Sequence, residues 1–165
     1  MKDLGLNAEQ LQSHIGWDIG AADLARELSS KLDATLVLSN YSRLVIDCNR
    51  WPRHPESIPA QSAGITIPGN ALVSDLDVMH RRRALFEPYQ LAIANVLGQR
   101  KQADIRLLSI HSFTPVLNGS DRPWSIGVCF GDDEGWAKQL ASDLRAQIDE
   151  PVGINQPYSV EAEYE

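Results

Sequence analysis

Cysteine is scarce in this chain, with Cys48 and Cys129 the only two. Both lie in apolar, strand-like runs, where a free thiol behaves as a small hydrophobe, so no disulfide framework is indicated. Long hydrophobic runs are missing too. No stretch approaches the roughly 18 consecutive apolar residues of a membrane span, and the first residues carry no signal-peptide pattern. Basic charge is in deficit: 15 Lys and Arg stand against 22 Asp and Glu, a formal net charge of −7. That balance argues against phosphate backbones and anionic membrane surfaces as general partners. The one basic run, Arg81-Arg82-Arg83, reads as the solvated face of a helix. H-E-x-x-H, paired C-x-x-C, P-loop, G-x-S-x-G and G-x-G-x-x-G patterns are all lacking, which removes the usual support for nucleotide, dinucleotide and serine-hydrolase readings. Together these lacks point to a cytoplasmic protein that binds neither nucleic acid nor membrane.

What is there suits one α/β domain: 165 residues, 43% of them hydrophobic, are enough for a sizeable core. Asn7 with Gln10 three residues on resembles a capping box, so a helix is predicted from Ala8 toward Lys31, with interruptions at Gly16 and Gly20. Residues 34–39 and 43–48 read as two short strands separated by a turn at Asn40. Prolines 52, 55, 59 and 68, with Gly64 and Gly69, predict an extended loop over 51–77. Leu85, Tyr89, Ile93 and Leu97 then recur at helical spacing around Pro88. Residues 104–112 alternate as a strand, with Ile105, Leu107, Ser109 and His111 on one side. Strands are also predicted at 125–130 and 151–154, flanking a helix marked by Trp136, Leu140, Leu144 and Ile148. Helices interleaved with short apolar strands favour a mixed central sheet flanked by helices.

The most informative stretch is Tyr41-Ser42-Arg43-Leu44-Val45-Ile46-Asp47-Cys48-Asn49-Arg50, which sets two arginines, an aspartate and an asparagine against an apolar core. Charge buried there must pair internally or meet a charged ligand. It reads either as a structural Arg43–Asp47 pair or as a site for a small anion with carboxylates. His111 falls at the carboxyl end of its predicted strand, the edge where open α/β sheets gather ligands. It suits a metal ligand, a general base or a satisfied loop histidine. His14 and Asp18, four apart, would share a helical face and could address one ion. His54 and His80 sit in polar, loop-like surroundings.

With these residues in hand, the chain resembles the N-formylglutamate amidohydrolase family. The resemblance is carried by His14-Ile15-Gly16-Trp17-Asp18-Ile19-Gly20-Ala21, residues 41–50, Ile67-Pro68-Gly69-Asn70, Pro88-Tyr89, residues 109–115, Arg122-Pro123-Trp124 and Asn155-Gln156-Pro157-Tyr158-Ser159, in the family's order. It implies a fold similar to the zinc-carboxypeptidase-like phosphorylase/hydrolase fold, with zinc or another divalent metal at the sheet's carboxyl edge. The implied reaction is hydrolysis of N-formyl-L-glutamate, or a related N-acyl acidic amino acid, to formate and the free amino acid. His111 matches the late metal-binding histidine, and Asp18, or alternatively His14, the middle ligand. Arg43 and Arg50, with Asn70, would grip the substrate's carboxylates, and Asp47 would orient an arginine or the ligand histidine.

Two departures accompany the match. Family members begin with a further strand, ending in an Asp-His-Ala-Ser-like segment, that gives the first metal-binding histidine, and they continue to a strand resembling Glu-Ile-Arg-Asn-Asp whose glutamate serves as general base. Neither is found in residues 1–165, and Glu161, Glu163 and Glu165 lack an apolar strand context. The expectation is a single family-like domain over 1–165, incomplete at both ends, with no general base assigned and with exposed edges that favour homo-oligomers. An alternative is a noncatalytic binding module for acidic amino acids or dicarboxylates, and a third is a residual fragment in which Arg43 and Asp47 merely pair.

Overall fold

The computed structural model describes residues 3–100, 104–117 and 119–159. The chain divides into two compact units, Met1–Ser112 and Phe113–Glu165. In place of one central mixed sheet, the strands of the described residues form three two-stranded sheets.

In the first unit the capping box forms as expected. Asn7 Oδ1 accepts from the Gln10 N–H at 2.8 Å and Gln10 Oε1 accepts from the Asn7 N–H at 3.0 Å. These bonds satisfy two of the four orphan donors at the start of α1 (Ala8–Gln12). The helix stops there because the chain doubles back over its own end. A Cβ at Gly16 would lie 2.3 Å from the Leu11 carbonyl oxygen, a contact only glycine avoids. The second helix, α2 (Ala21–Leu32), starts after Gly20 at φ 78°. The helix predicted toward Lys31 is therefore two helices with a tight connection, and His14 and Asp18 lie in that connection rather than on one helical face.

Residues 43–48 do not form the expected strand. Side chains compete for the backbone instead: Ser42 Oγ accepts the Leu44 N–H at 3.2 Å, and Asp47 Oδ1 the Asn49 N–H at 2.9 Å. Such bonds favour turns over ladders. The carbonyls a neighbouring strand would use go to Asn70 Nδ2, 2.7 Å from Leu44 O, and to Arg81 Nη1, 2.9 Å from Val45 O. The apolar side chains still turn inward: Leu44 is buried with Leu4, Leu6, Ile15 and Ile67, and Ile46 is buried as well. Residues 34–39 and 104–112 are likewise outside any strand.

The proline-rich loop holds a small hairpin of β1 (Gln61–Ser62) and β2 (Ile65–Thr66). Ser74 then caps α3 (Asp75–Arg81), which widens into a π-helical turn at Arg82–Phe86 before α4 (Glu87–Gly98). Pro88 supplies no N–H in the first turn of α4, and the Glu87 N–H reaches back five residues to Arg82 O.

The second unit contains a hairpin of β3 (Val116–Leu117) and β4 (Ser120–Asp121) and a crossover in which α5 (Glu134–Gln147) joins the parallel pair β5 (Ile126–Val128) and β6 (Val152–Ile154). Val128, Ala137, Ala141 and Val152 are its buried core, with Leu140, Leu144 and Ile148 packed alongside. These elements match the helix and the two strands predicted at 125–154.

Candidate functional site

Asp18 is presented by the turn that leads into α2, where its carbonyl accepts the Ala21 N–H at 3.2 Å. Its carboxylate meets His111, 93 residues away in sequence: Oδ2 and Nδ1 are 2.7 Å apart. The other ring nitrogen, Nε2, lies 3.0 Å from Ser109 Oγ. The sequence placed Ser109 and His111 on one side of a strand; that strand does not form, yet the two side chains meet.

The electrostatics of the pair are mutual. Burial pushes the Asp18 carboxyl up, but the hydrogen bond and charge of His111, then Arg43, then the Ser112 N–H, outweigh it and hold the carboxyl below its ordinary value. The Asp18 hydrogen bond lifts the His111 imidazole above its ordinary value against burial, with the Asp18 and Asp47 charges adding to the lift and Arg43 opposing it. Arg43 and Asp47 therefore act on the same place as Asp18 and His111. Four of the residues expected from the sequence converge.

Arg43 Nη2 donates to Asp47 Oδ2 at 2.7 Å. Asp47 is nearly closed off and its second oxygen is spent on the Asn49 N–H, whereas the Arg43 side chain keeps 45% of its surface exposed. A buried carboxylate thus aims a guanidinium that still has donors facing outward. Arg50 is more enclosed, with Nη2 3.7 Å from Glu56 Oε2. Gly16, Trp17, Leu38, Ser39, Tyr41 and Ser42 are among the residues that line a cavity of about 340 Å³, which none of Asp18, Arg43, Asp47 and His111 lines.

Two expected residues lie elsewhere. His14 is exposed in the turn after α1, with no hydrogen bond among the described residues. Asn70 is only 5% exposed, and its amide is committed to protein. Nδ2 donates to Leu44 O and to Pro59 O at 2.7 and 2.8 Å, and Oδ1 accepts from Arg81 Nη1 at 2.7 Å. Asn70, expected from the sequence to help grip substrate, ties the 59–70 loop to the turn that carries Arg43. The solvated-face reading of Arg81 is corrected, since Arg81 is 4% exposed and its Nη2 also reaches Gly69 O at 3.3 Å. Three consecutive arginines gave no signal that the first would turn inward.

As a donor set, Asp18 and His111 suit a divalent metal: an imidazole nitrogen and a carboxylate oxygen, already converging and partly open to water. Among the described residues no group of three or more His, Cys, Asp or Glu side chains comes together. The fit is that of two ligands, leaving the remaining positions to water, substrate or donors outside the described residues.

This is an α/β protein of the class that gathers an imidazole–carboxylate pair and a half-exposed arginine at one place. The comparisons make that class specific: the chain belongs to the N-formylglutamate amidohydrolase family, whose model matches residues 1–164. Among solved structures it is similar to the gene product Atu2144 from Agrobacterium tumefaciens, at 36% identity and a TM-score of 0.91. The match covers 98% of this chain and 65% of that one, so the chain spans just under two thirds of its relative's length. Comparison with curated proteins gives no match. Among the described residues no helix is long and apolar enough to cross a membrane.

Proposed function

We propose that this chain carries the site of a metal-dependent amidohydrolase that releases formate from N-formyl-L-glutamate or a closely related N-acyl acidic amino acid. The observation that carries the reading is the Asp18–His111 pair set beside Arg43, in a chain of this family. Asp18 and His111 would hold zinc or another divalent ion, and such an ion supplies polarisation of the acyl carbonyl and a lowered pKa for a nearby water. Arg43 binds a substrate carboxylate through the donors that Asp47 leaves free, and Arg50 offers a second guanidinium on the same segment. Water adds its oxygen to the formyl carbon, the C–N bond breaks, and the departing nitrogen takes a proton to leave free glutamate and formate.

The test is formate release from N-formyl-L-glutamate by the purified, zinc-reconstituted chain. Turnover that stops with chelator and in His111→Ala is expected, with Arg43→Ala raising KM by roughly 10- to 100-fold through loss of a charge-assisted bond. Turnover that survives chelator and is lost in Ser109→Ala would instead make Ser109 a nucleophile activated by His111. The presence of only two metal donors among the described residues favours one other reading, a noncatalytic module for acidic amino acids or dicarboxylates. A folded chain that binds glutamate, loses binding in Arg43→Ala, ignores chelator and makes no formate would establish that module.

A further inference from the structure

Asp18 and Arg43 belong to different turns, and the span between them is set by what joins those turns. Ser42 Oγ donates to Gly16 O at 2.5 Å, a bond between residues 26 apart in sequence. Its ends lie next to the two functional side chains: Ser42 directly precedes Arg43, and Gly16 stands two residues before Asp18. The same hydroxyl accepts the Leu44 N–H at 3.2 Å, and the Ser42 carbonyl accepts the Val45 N–H at 2.9 Å. Ser42 thus shapes the backbone on both sides of Arg43.

The anchor at the other end has little room to drift. Gly16 is buried, its N–H donates to Ser13 O at 2.9 Å, and a Cβ there would stand 2.3 Å from the Leu11 carbonyl oxygen. The Arg43 turn is also held from elsewhere, Leu44 O by Asn70 and Val45 O by Arg81. Those bonds fix the turn to the 59–70 loop and to α3, and neither touches the segment that carries Asp18. Asp18 in turn meets His111 at 2.7 Å, so one hydroxyl links the turn of the guanidinium to the turn of the imidazole–carboxylate pair.

We propose that Ser42 is a positioning residue that fixes the span between the Asp18–His111 pair and Arg43, and that this span selects the side-chain length of the substrate. An N-acyl acidic amino acid would present its acyl carbonyl to the pair and its side-chain carboxylate to Arg43. Each added methylene lengthens the reach between those two groups. A guanidinium that binds a carboxylate in two-pronged fashion is specific in its geometry, and a misplacement of about 1 Å can cost on the order of 100-fold in rate. A pinned span therefore favours one length, and a loose one accepts several. This role for Ser42 rests on the proposed hydrolytic reading for the identity of the substrate.

The experiment compares N-formyl-L-aspartate, N-formyl-L-glutamate and N-formyl-L-α-aminoadipate as substrates of the zinc-reconstituted chain. Beside it runs calorimetric binding of succinate, glutarate and adipate, which needs no turnover. Wild type should prefer one length by at least about 10-fold in kcat/KM and in Kd. Ser42→Ala should raise KM for the preferred substrate about 10-fold while kcat stays within about 3-fold, and should shrink the length preference to about 2-fold or less. Ser42→Cys, which fills the space with a far weaker donor, should shrink it likewise, and Ser42→Thr, which keeps a hydroxyl, should preserve it. The role of Ser42 would be overturned by a wild type without a length preference, by equal losses on all three substrates in the alanine and cysteine variants, or by an unchanged preference in them. The hydrolytic reading fails separately: dicarboxylate binding with a length preference that Ser42→Ala flattens, and no formate from wild type, would remove the amidohydrolase and uphold the role of Ser42.

Discussion

At the scale of single residues, Asp18 and His111 make stability a function of pH in the metal-free chain. The carboxyl is held below its ordinary value, so its contribution is present above about pH 3.9, the unfolded value, and is lost as pH falls through the depressed one. The imidazole is raised, so its contribution is full below about pH 6.5 and is lost as pH rises through the elevated value. The window is roughly pH 4 to 6.5, and because the His111 side chain is half exposed the gain within it should stay under about 1 kcal/mol. Urea midpoints of chelator-treated wild type and Asp18→Asn should differ at pH 5 and converge by pH 9, whereas an equal gap at both would remove the ion pair as the cause. Asn70→Ala should cost far more, about 3–5 kcal/mol, because it strands two carbonyls and a buried guanidinium. A midpoint within 1 kcal/mol of wild type (roughly the worth of one bond) would refute that role. Part of this arrangement was legible from chemistry: Arg43 and Asp47 at the edge of a core called for either a mutual pair or a charged ligand, and the pair forms. The inward turn of Arg81 was not legible, because what draws it in is Asn70 Oδ1 and two carbonyls supplied by distant loops.

At the scale of elements, helix starts were more legible than strands, of which those at 126–128 and 152–154 formed and those expected at 34–39, 43–48 and 104–112 did not. The Asn7 capping box and the Leu140, Leu144, Ile148 repeat act through neighbours along the chain, so local sequence is enough to place α1 and α5. A strand exists only with its partner. The run 126–128 becomes one because α5 returns the chain to Val152–Ile154, while the equally apolar runs 34–39 and 105–110 have no such return among the described residues. The run 43–48 failed for a different reason, since its amides found turn acceptors instead: the Leu44 N–H goes to Ser42 Oγ, the Val45 N–H to Ser42 O and the Asp47 N–H to Ser57 O. Where a strand did form, its limits are tight. A Cβ at Gly127 would stand 2.0 Å from the Gln156 carbonyl oxygen, so Gly127→Ala must push residues 155–157 away from β5. The expected result is loss of the Asn155 N–H bond to Val128 O, now 2.9 Å, and a destabilisation of about 2–4 kcal/mol. Unchanged exchange at Asn155 in the variant would count against it.

At the scale of the whole molecule, the described residues form two clusters of buried apolar side chains. Leu4, Leu6, Ile15, Leu44 and Ile67 form one, and Val128, Ala137, Ala141 and Val152 the other, each within its own compact unit. Hydrophobic stabilisation is local to the surfaces that bury one another, so damage to one set should not be transmitted in full to the other. Leu44 has no exposed surface, and Leu44→Ala should cost about 2–5 kcal/mol by leaving a cavity that the 41–50 turns cannot close around. Native-state hydrogen exchange gives this a spatial reading. In Leu44→Ala, amides that exchange through opening of the first unit, those of residues 44–47 and 67–71, should speed up by the full destabilisation, while those of β5, β6 and α5 keep their wild-type rates. Equal acceleration in both units would mean that the two cores unfold as one cooperative body, and that the stability of the Arg43-bearing turns is shared with the crossover around α5.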